Sequence, residues 1–188
     1  MRKFTDLSLE NYLYELSSVE PVPGGGSVSA YVAALAMGLT QMVGRISLKR
    51  KPKEGEEDRR EKIQKIVDSV EKTKRDAFAI VNLDPVAYHE VMAAYGTPQL
   101  EEALWKSYQM QADLVALIIL AYEWNAQLKN LVSGSIKNDL LVSESLSKSA
   151  FEGAYHTAMI NVVYMKDAAK KARAEKSMQE LKSRFEKV

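Results

Sequence analysis

The sequence predicts an all-α protein, and two observations carry that prediction. Apolar residues recur with a helical period through most of the 188-residue chain, and no segment alternates in the way of a half-buried strand. Proline and glycine residues lie between the long helical stretches, where they favour turns. A chain of this length can bury a substantial core. We therefore predict one domain, residues 1–188, built as a bundle of six to seven helices that include long ones.

Three helices are predicted in the first 82 residues. Ser8 is a suitable N-cap for the first helix. The second runs from about Ser27 to Leu48, directly after three consecutive glycines, and a basic run at 49–53 ends it. The third, over 56–82, carries apolar residues at the i, i+3, i+4 spacing of an amphipathic helix.

Proline marks the start of the next two predicted helices. Asp84 followed by Pro85 combines an N-cap residue with proline at the first helical position, which predicts a short fourth helix. The Thr-Pro pair at 97–98 repeats that signal and predicts a long fifth helix toward Leu131.

The fifth helix contains the segment DLVALIILAYEW, residues 113–124, which is apolar on nearly every face. Such a helix lies at the centre of a core or faces a second subunit. The loop SGSIKND, residues 133–139, separates it from a sixth helix that continues through Asn161. The last twenty residues are charged, amphipathic and helix-prone.

Composition narrows the classes of function. The chain has no cysteine and only two histidines, which excludes disulfides, thiolate nucleophiles and cysteine-bound metals and makes a histidine metal site unexpected. A net charge of +1 provides no global attraction for nucleic acid or an anionic membrane. No secretion signal or comfortable membrane span is recognised. We expect a cytoplasmic protein without a metal, nucleic-acid or membrane partner.

Gly24, Gly25 and Gly26 stand immediately before the second helix. A helix start carries partial positive charge and free N–H groups, and glycines there let a ligand approach the backbone. Ser27 adds a hydroxyl to this first turn. The alternative is a flexible turn or close backbone packing, and the spacing matches neither the P-loop nor the dinucleotide fingerprint.

Charged residues give further candidates, each with a structural alternative. Lys49, Arg50 and Lys51 could receive an acidic ligand tail or simply lie in a solvated loop at a helix C-terminus. Asp139 is a candidate catalytic acid or an N-cap of the sixth helix, and Asp84 has the same capping alternative. The two histidines are more naturally structural than catalytic.

Several segments together resemble the cyclodeaminase domain of the formiminotransferase-cyclodeaminase family. The specific one is PVPGGGSVSAYVAALAMGLTQMV, which is similar to the family's Pro-x-Pro-Gly-Gly-Gly-Ser signature and the Ala-rich helix after it. The segments LKRKP, LDPVAYHEVMAAYGTP, SIKNDLLVSESL and GAYHTAMINVVYM resemble later family segments. The likeness covers roughly the whole chain.

The sequence also departs from the family pattern. Asn138 stands where the family usually has a serine beside Asp139. Thr157 stands where the first asparagine of a pair is expected, whereas Asn161 matches the second. These differences leave the substrate preference open.

The resemblance implies an all-helical, homodimeric folate enzyme that needs no metal or redox cofactor. The implied reaction is cyclodeamination of 5-formiminotetrahydrofolate to 5,10-methenyltetrahydrofolate with release of ammonia. The same fold also serves methenyltetrahydrofolate cyclohydrolases, and a non-catalytic dimer that binds folate or another acidic ligand is a further alternative.

The resemblance also suggests residue roles. Asp139 and Ser27 would be catalytic, with Asp139 as general acid and base. The predicted folate-binding residues are Pro23, Gly24, Gly25, Gly26, Ser27, Asp84 and Asn161, and Lys49, Arg50 and Lys51 would hold the glutamate tail.

Overall fold

The computed structural model describes residues 3–51 and 54–188, so Pro52 and Lys53 at the end of the basic run lie outside it. The described residues form six α-helices and one 3-10 turn, with no strand. The helices are α1 (Leu9–Leu16), α2 (Gly25–Lys49), α3 (Glu57–Ala94), α4 (Leu100–Leu131), α5 (Lys137–Tyr164) and α6 (Ala168–Phe185), and the 3-10 turn is Phe4–Asp6. The prediction of an all-α bundle of six to seven helices is confirmed.

Four long helices form the body of the bundle. α2 packs against α3 and α5, and α4 packs against the same two helices, so the four close into a ring around one core. α6 lies against α4 and α5. Small residues let α2 approach its neighbours: a Cβ at Gly44 would lie 2.5 Å from Cγ2 of Val67 on α3.

The predicted third and fourth helices are one continuous helix, α3, which contains Pro85 in its interior. Proline has no N–H and cannot bond the carbonyl four residues earlier, that of Val81. The Ser27 hydroxyl on α2 donates to this carbonyl at 2.9 Å and replaces the missing bond. Asp84 therefore lies within a helix and does not cap one, so the prediction of an N-cap at Asp84 is wrong.

The apolar segment at 113–124 lies in the core of the single chain. Leu114, Val115, Ile118 and Ile119 are each no more than 1% exposed. This burial supports the internal role for one face of the segment, whereas Leu117 and Leu120 on another face are only half-buried. Large exposed apolar side chains occur on other helices, among them α2 and α5.

α2 is also the one helix, within 3–51 and 54–188, that is long and apolar enough to cross a membrane by length and composition. Most of its apolar window is buried against other helices, as in the core helix of a bundle.

Candidate active site

The start of α2 forms one wall of a cavity of about 420 Å³. Gly24, Gly25 and Gly26 line this wall. α3 contributes Asp84, Tyr88 and Val91 to the lining, α4 contributes Ser107, and α5 contributes His156, Thr157, Ile160 and Asn161. The predicted glycine segment, Asp84 and Asn161 are thus brought together from parts of the chain far apart in sequence.

The Asp84 carboxylate is the central polar group of this cavity. The Ser27 backbone N–H donates to its Oδ2 at 3.0 Å, and Nε2 of Gln111 donates to its Oδ1 at 2.7 Å. Burial raises the pKa of Asp84 above its ordinary value, and these two hydrogen bonds offset part of that rise. A half-buried carboxyl group with a raised pKa is suited to exchange protons with a bound ligand.

Gly26 allows this arrangement because it has no side chain. A Cβ at this position would lie 2.1 Å from Oδ1 of Asp84 and 2.3 Å from Nε2 of Gln111. Both side chains therefore pack directly against the backbone of the first turn of α2. The glycine at 26 serves the packing of Asp84 against the helix start.

Gly25 differs from its neighbour. A Cβ there would meet only Oγ1 of Thr157, at an ordinary contact distance of 3.7 Å, although the residue lines the cavity. Helix geometry also leaves the N–H groups of Gly25 and Gly26 without intrahelical acceptors. Gly25 thus provides a cavity wall of bare backbone, which is the property that the sequence predicts for ligand approach.

Ser27 is completely buried, and its hydroxyl does not line the cavity. The hydroxyl donates to the Val81 carbonyl and lies 3.3 Å from the Tyr12 hydroxyl. Its contribution to the site is the backbone N–H that holds Asp84. The structure therefore places the Ser27 hydroxyl away from the cavity, and its catalytic role stays a prediction. Pro23 is likewise buried outside the cavity lining, whereas Pro21 and Val22 form part of it.

Asp139 lies in the first turn of α5, where Ile136 occupies the N-cap position. Thr157, which lines the cavity, is 18 residues further along the same helix. At 1.5 Å per residue the two are separated by about 27 Å. Within one chain, Asp139 therefore does not lie beside the glycines, and its role as general acid and base stays a prediction.

The basic residues Lys49, Arg50 and Lys51 lie at the opposite end of α2 from the glycines. Twenty-four residues of helix separate Lys49 from Gly25, which is about 36 Å. Arg60 donates to the carbonyls of Leu48 and Arg50, and Arg50 itself reaches the Ser133 carbonyl at 3.5 Å. Arg50 and Arg60 thus connect the end of α2 to neighbouring segments. The predicted glutamate-tail site does not adjoin the cavity within one chain.

Gln111 is the residue of the site that the sequence analysis missed. It lies among apolar residues of α4 and is completely buried. The available signal was a long polar side chain on the buried face of a core helix, four residues after Ser107. Among the residues that the structure describes, no group of three or more His, Asp or Glu side chains could hold a metal ion.

Fold and site together define a class: an all-helical protein in which a half-buried carboxylate packs against the glycine-led start of a long helix. A family model described as formiminotransferase-cyclodeaminase matches residues 8–180, and the chain belongs to this family. The predicted resemblance is therefore confirmed.

Two curated relatives illustrate the range of the family. The chain is 24% identical over 174 residues to the formimidoyltransferase-cyclodeaminase of Mus musculus, covering 86% of this chain and 32% of that protein. It is 31% identical over 93 residues to the methenyltetrahydrofolate cyclohydrolase of Methylorubrum extorquens, covering 49% and 43% of the two chains. The chain spans about a third of the length of the formimidoyltransferase-cyclodeaminases that it matches.

A solved structure shows the same fold. The formiminotetrahydrofolate cyclodeaminase of Thermotoga maritima superposes with a TM-score of 0.90, covering 97% of this chain and 91% of that one at 23% identity. The helical bundle of this chain is therefore the fold of that protein.

Proposed function

We propose that this chain is a folate one-carbon enzyme that converts 5-formiminotetrahydrofolate to 5,10-methenyltetrahydrofolate and ammonia. One observation carries the proposal: the Asp84 carboxyl group is held by the Ser27 N–H and Gln111 at the wall of a cavity whose other face is bare glycine backbone. Membership of the formiminotransferase-cyclodeaminase family supports the substrate class.

In this reaction N10 of the folate attacks the formimino carbon, a five-membered ring closes, and the amino group leaves as ammonia. Both nitrogens belong to one molecule, so correct positioning supplies much of the rate. One proton must leave N10 and one must reach the departing amine. We assign both transfers to Asp84, whose raised pKa suits a group that alternates between base and acid. The reaction changes no oxidation state, so we propose that it needs no redox cofactor.

A second candidate is hydrolysis of 5,10-methenyltetrahydrofolate to the 10-formyl compound. The similarity to the cyclohydrolase of Methylorubrum extorquens favours it. Water would then attack the same carbon, and Asp84 could take the proton of that water. A third candidate, folate binding without turnover, is weakened because a hydrogen-bonded carboxyl group with a raised pKa lines the cavity.

The test is the absorbance of the methenyltetrahydrofolate band with each folate offered in turn. We expect the band to appear from 5-formiminotetrahydrofolate, with ammonia released in equal amount. Faster loss of the band from added methenyltetrahydrofolate alone would select the cyclohydrolase. Folate binding with neither change would select the binding protein.

Two variants test the assignment of the acid. Asp84→Asn is expected to lower kcat by roughly 10²–10⁴-fold, the usual contribution of general acid-base catalysis. Asp139→Asn is the matched control and should keep wild-type turnover, because Asp139 lies about 27 Å along α5 from Thr157 at the cavity. Full activity in folded Asp84→Asn would refute the assignment.

We also propose a homodimer. Its support is an exposed apolar stripe on α2, where Leu35, Met42 and Ile46 are 47%, 38% and 41% exposed. Their spacing of seven and four residues places them on one side of the helix. Sedimentation tests this proposal, since a species of 21.1 kDa would be the monomer.

A further inference from the structure

We propose that Gln111 is the positioning residue of Asp84: its amide donates a hydrogen bond to the ionised carboxylate and turns over to accept the proton of the neutral acid. The proposal rests on the proposed function, in which Asp84 alternates between these two states. It adds a residue that never touches the folate but governs where the transferred proton resides.

The first half of the proposal is the observed contact. Nε2 of Gln111 lies 2.7 Å from Oδ1 of Asp84, and the Gln111 side chain is completely buried. An ionised carboxylate only accepts hydrogen bonds, so the amide must present its N–H₂ group to it. A short hydrogen bond to a charged acceptor stabilises the ionised state.

The second half follows from the other end of the same amide. Oε1 of Gln111 is buried and has no hydrogen-bond partner among the described residues. A buried acceptor without a partner is unfavourable and rare in native proteins. Once Asp84 gains a proton it becomes a donor, and a half-turn of the amide would bring Oε1 to that proton. The terminal torsion of glutamine is soft enough for such a turn.

The surrounding contacts select the oxygen that carries the proton. The Ser27 N–H is a donor in both states and occupies Oδ2 of Asp84. Oδ1 is therefore the oxygen that faces a group able to switch from donor to acceptor. In the reaction, the proton taken from N10 would reside on Oδ1 with Gln111 as acceptor. It would then pass to the leaving amine, after which Gln111 again donates.

Other titratable groups near the site are few. α1 contributes Tyr12, whose hydroxyl lies 3.3 Å from Ser27 Oγ, α3 contributes Tyr88, and α5 contributes His156 at the cavity. The contacts that α2 and α4 make with Asp84 come from the uncharged Ser27 N–H and Gln111. Asp84 and Gln111 thus form a direct donor and acceptor pair.

Nuclear magnetic resonance on the unmodified protein tests this coupling without substrate. The carboxyl carbon of Asp84, assigned with Asp84→Asn, and the Nε2 resonance of Gln111 should titrate together with one apparent pKa. The Nε2 resonance of Gln109, an exposed glutamine on the same helix, should not follow that titration. If the Nε2 resonance of Gln111 does not change while the carboxyl group of Asp84 titrates, the proposal is overturned.

Variants connect the coupling to turnover. Gln111→Met keeps the side-chain length but removes the amide. Gln111→Met loses the hydrogen bond in both states of Asp84, but the bond to the ionised carboxylate is the stronger of the two. The acidic limb of the kcat/KM profile should therefore move up by about one pH unit. We expect kcat to fall roughly tenfold for each such unit at a fixed pH below that limb, while KM changes less than about twofold. Gln109→Met is the matched control and should keep the wild-type profile.

The outcomes separate the two proposals. An unchanged pH profile in folded Gln111→Met, with wild-type turnover intact, would refute the role of Gln111 alone. Absence of turnover in the wild-type protein with a common titration of Asp84 and Gln111 would refute the proposed function and leave the coupling standing. If Gln111→Met does not fold, the titration of the unmodified protein still decides the matter.

Discussion

Ser27 on α2 donates its hydroxyl hydrogen to the Val81 carbonyl on α3, the carbonyl that Pro85 leaves without its helical partner. One side chain thereby lets a 38-residue helix continue through a proline. The same residue holds Asp84 through its backbone N–H. Helix continuity and the position of the candidate acid therefore both depend on Ser27, through two separate hydrogen bonds from α2 to α3.

Ser27→Ala should destabilise the fold by about 1–3 kcal/mol, because it leaves the buried Val81 carbonyl without a donor. Pro85→Ala restores an N–H at residue 85, so the serine substitution should cost less in that background. Chemical denaturation of the four proteins of this double-mutant cycle measures the coupling. Equal costs in both backgrounds would mean that the hydroxyl does not compensate for the proline.

Gly25 and Gly26 should respond differently to alanine. Gly25→Ala has room in the protein and is expected to raise KM for the folate with little change in stability. Gly26→Ala must displace Asp84 or Gln111, so it should lower both kcat and the melting temperature. Steady-state kinetics and thermal melts of both variants check these expectations. An unaltered KM in Gly25→Ala would mean that Gly25 serves packing and not ligand binding.

Asp84 should make the folded state less stable as pH rises. Its pKa is higher in the folded protein than the ordinary 3.8, so the folded state binds the proton more tightly. Stability is then greatest below pH 3.8 and declines upward from there through the folded pKa. Asp84→Asn removes this decline, and its new amide N–H₂ can donate to Oε1 of Gln111. We expect the variant to melt above wild type at neutral pH; a lower melting temperature would contradict the burial argument.

Glu144 should make the folded state less stable as the pH falls, the opposite of the effect of Asp84. Hydrogen bonds from Lys129 and Lys148 lower its pKa from 4.5 to about 2. The stability that it contributes is complete above pH 4.5 and is lost as the pH falls toward 2. Since 23% of its side chain is exposed, we expect Glu144→Gln to cost about 1 kcal/mol or less at pH 7. The loss of stability caused by Glu144→Gln should vanish near pH 2. Denaturant titrations at pH 7 and pH 2 measure it. An equal loss at both pH values would mean that the ion pairs are not responsible.

Leu35→Glu should dissociate the proposed dimer without unfolding the bundle, because it places a charge in the exposed stripe of α2. Val19→Glu is a matched control, since Val19 is 99% exposed and lies outside that helix. Sedimentation velocity should show a smaller species for Leu35→Glu and wild-type behaviour for Val19→Glu. Identical sedimentation of all three proteins would place any subunit contact elsewhere.

Local signals predicted most of the fold. Ser8 caps α1 as expected, its Oγ accepting from the Asn11 N–H at 3.2 Å. α4 ends at Leu131, as the periodicity indicates. The error at Pro85 arose because the compensating donor is 58 residues earlier in the chain. Local sequence gives no information on such a partner, so the presence of Pro85 alone predicts a helix boundary.

The site was predicted only in part, for a related reason. The glycines, Asp84 and Asn161 line the cavity. The sequence analysis, however, predicts a cap at Asp84, assigns the catalytic acid to Asp139 and does not single out Gln111. Asp139 was favoured because it follows a glycine-containing loop, a property that carries no information about distance. Only the packing of α3 and α4 on the start of α2 shows which acid meets the glycines.

The two adjacent glycines at the start of α2 differ in what a side chain at each position would contact. In a library randomised at both positions, selection for soluble folded protein alone should retain glycine at 26 and admit alanine or serine at 25. Only added selection for folate turnover should restore glycine at 25. The Cβ contacts described above thus predict which of two identical neighbouring residues is kept for architecture and which for chemistry.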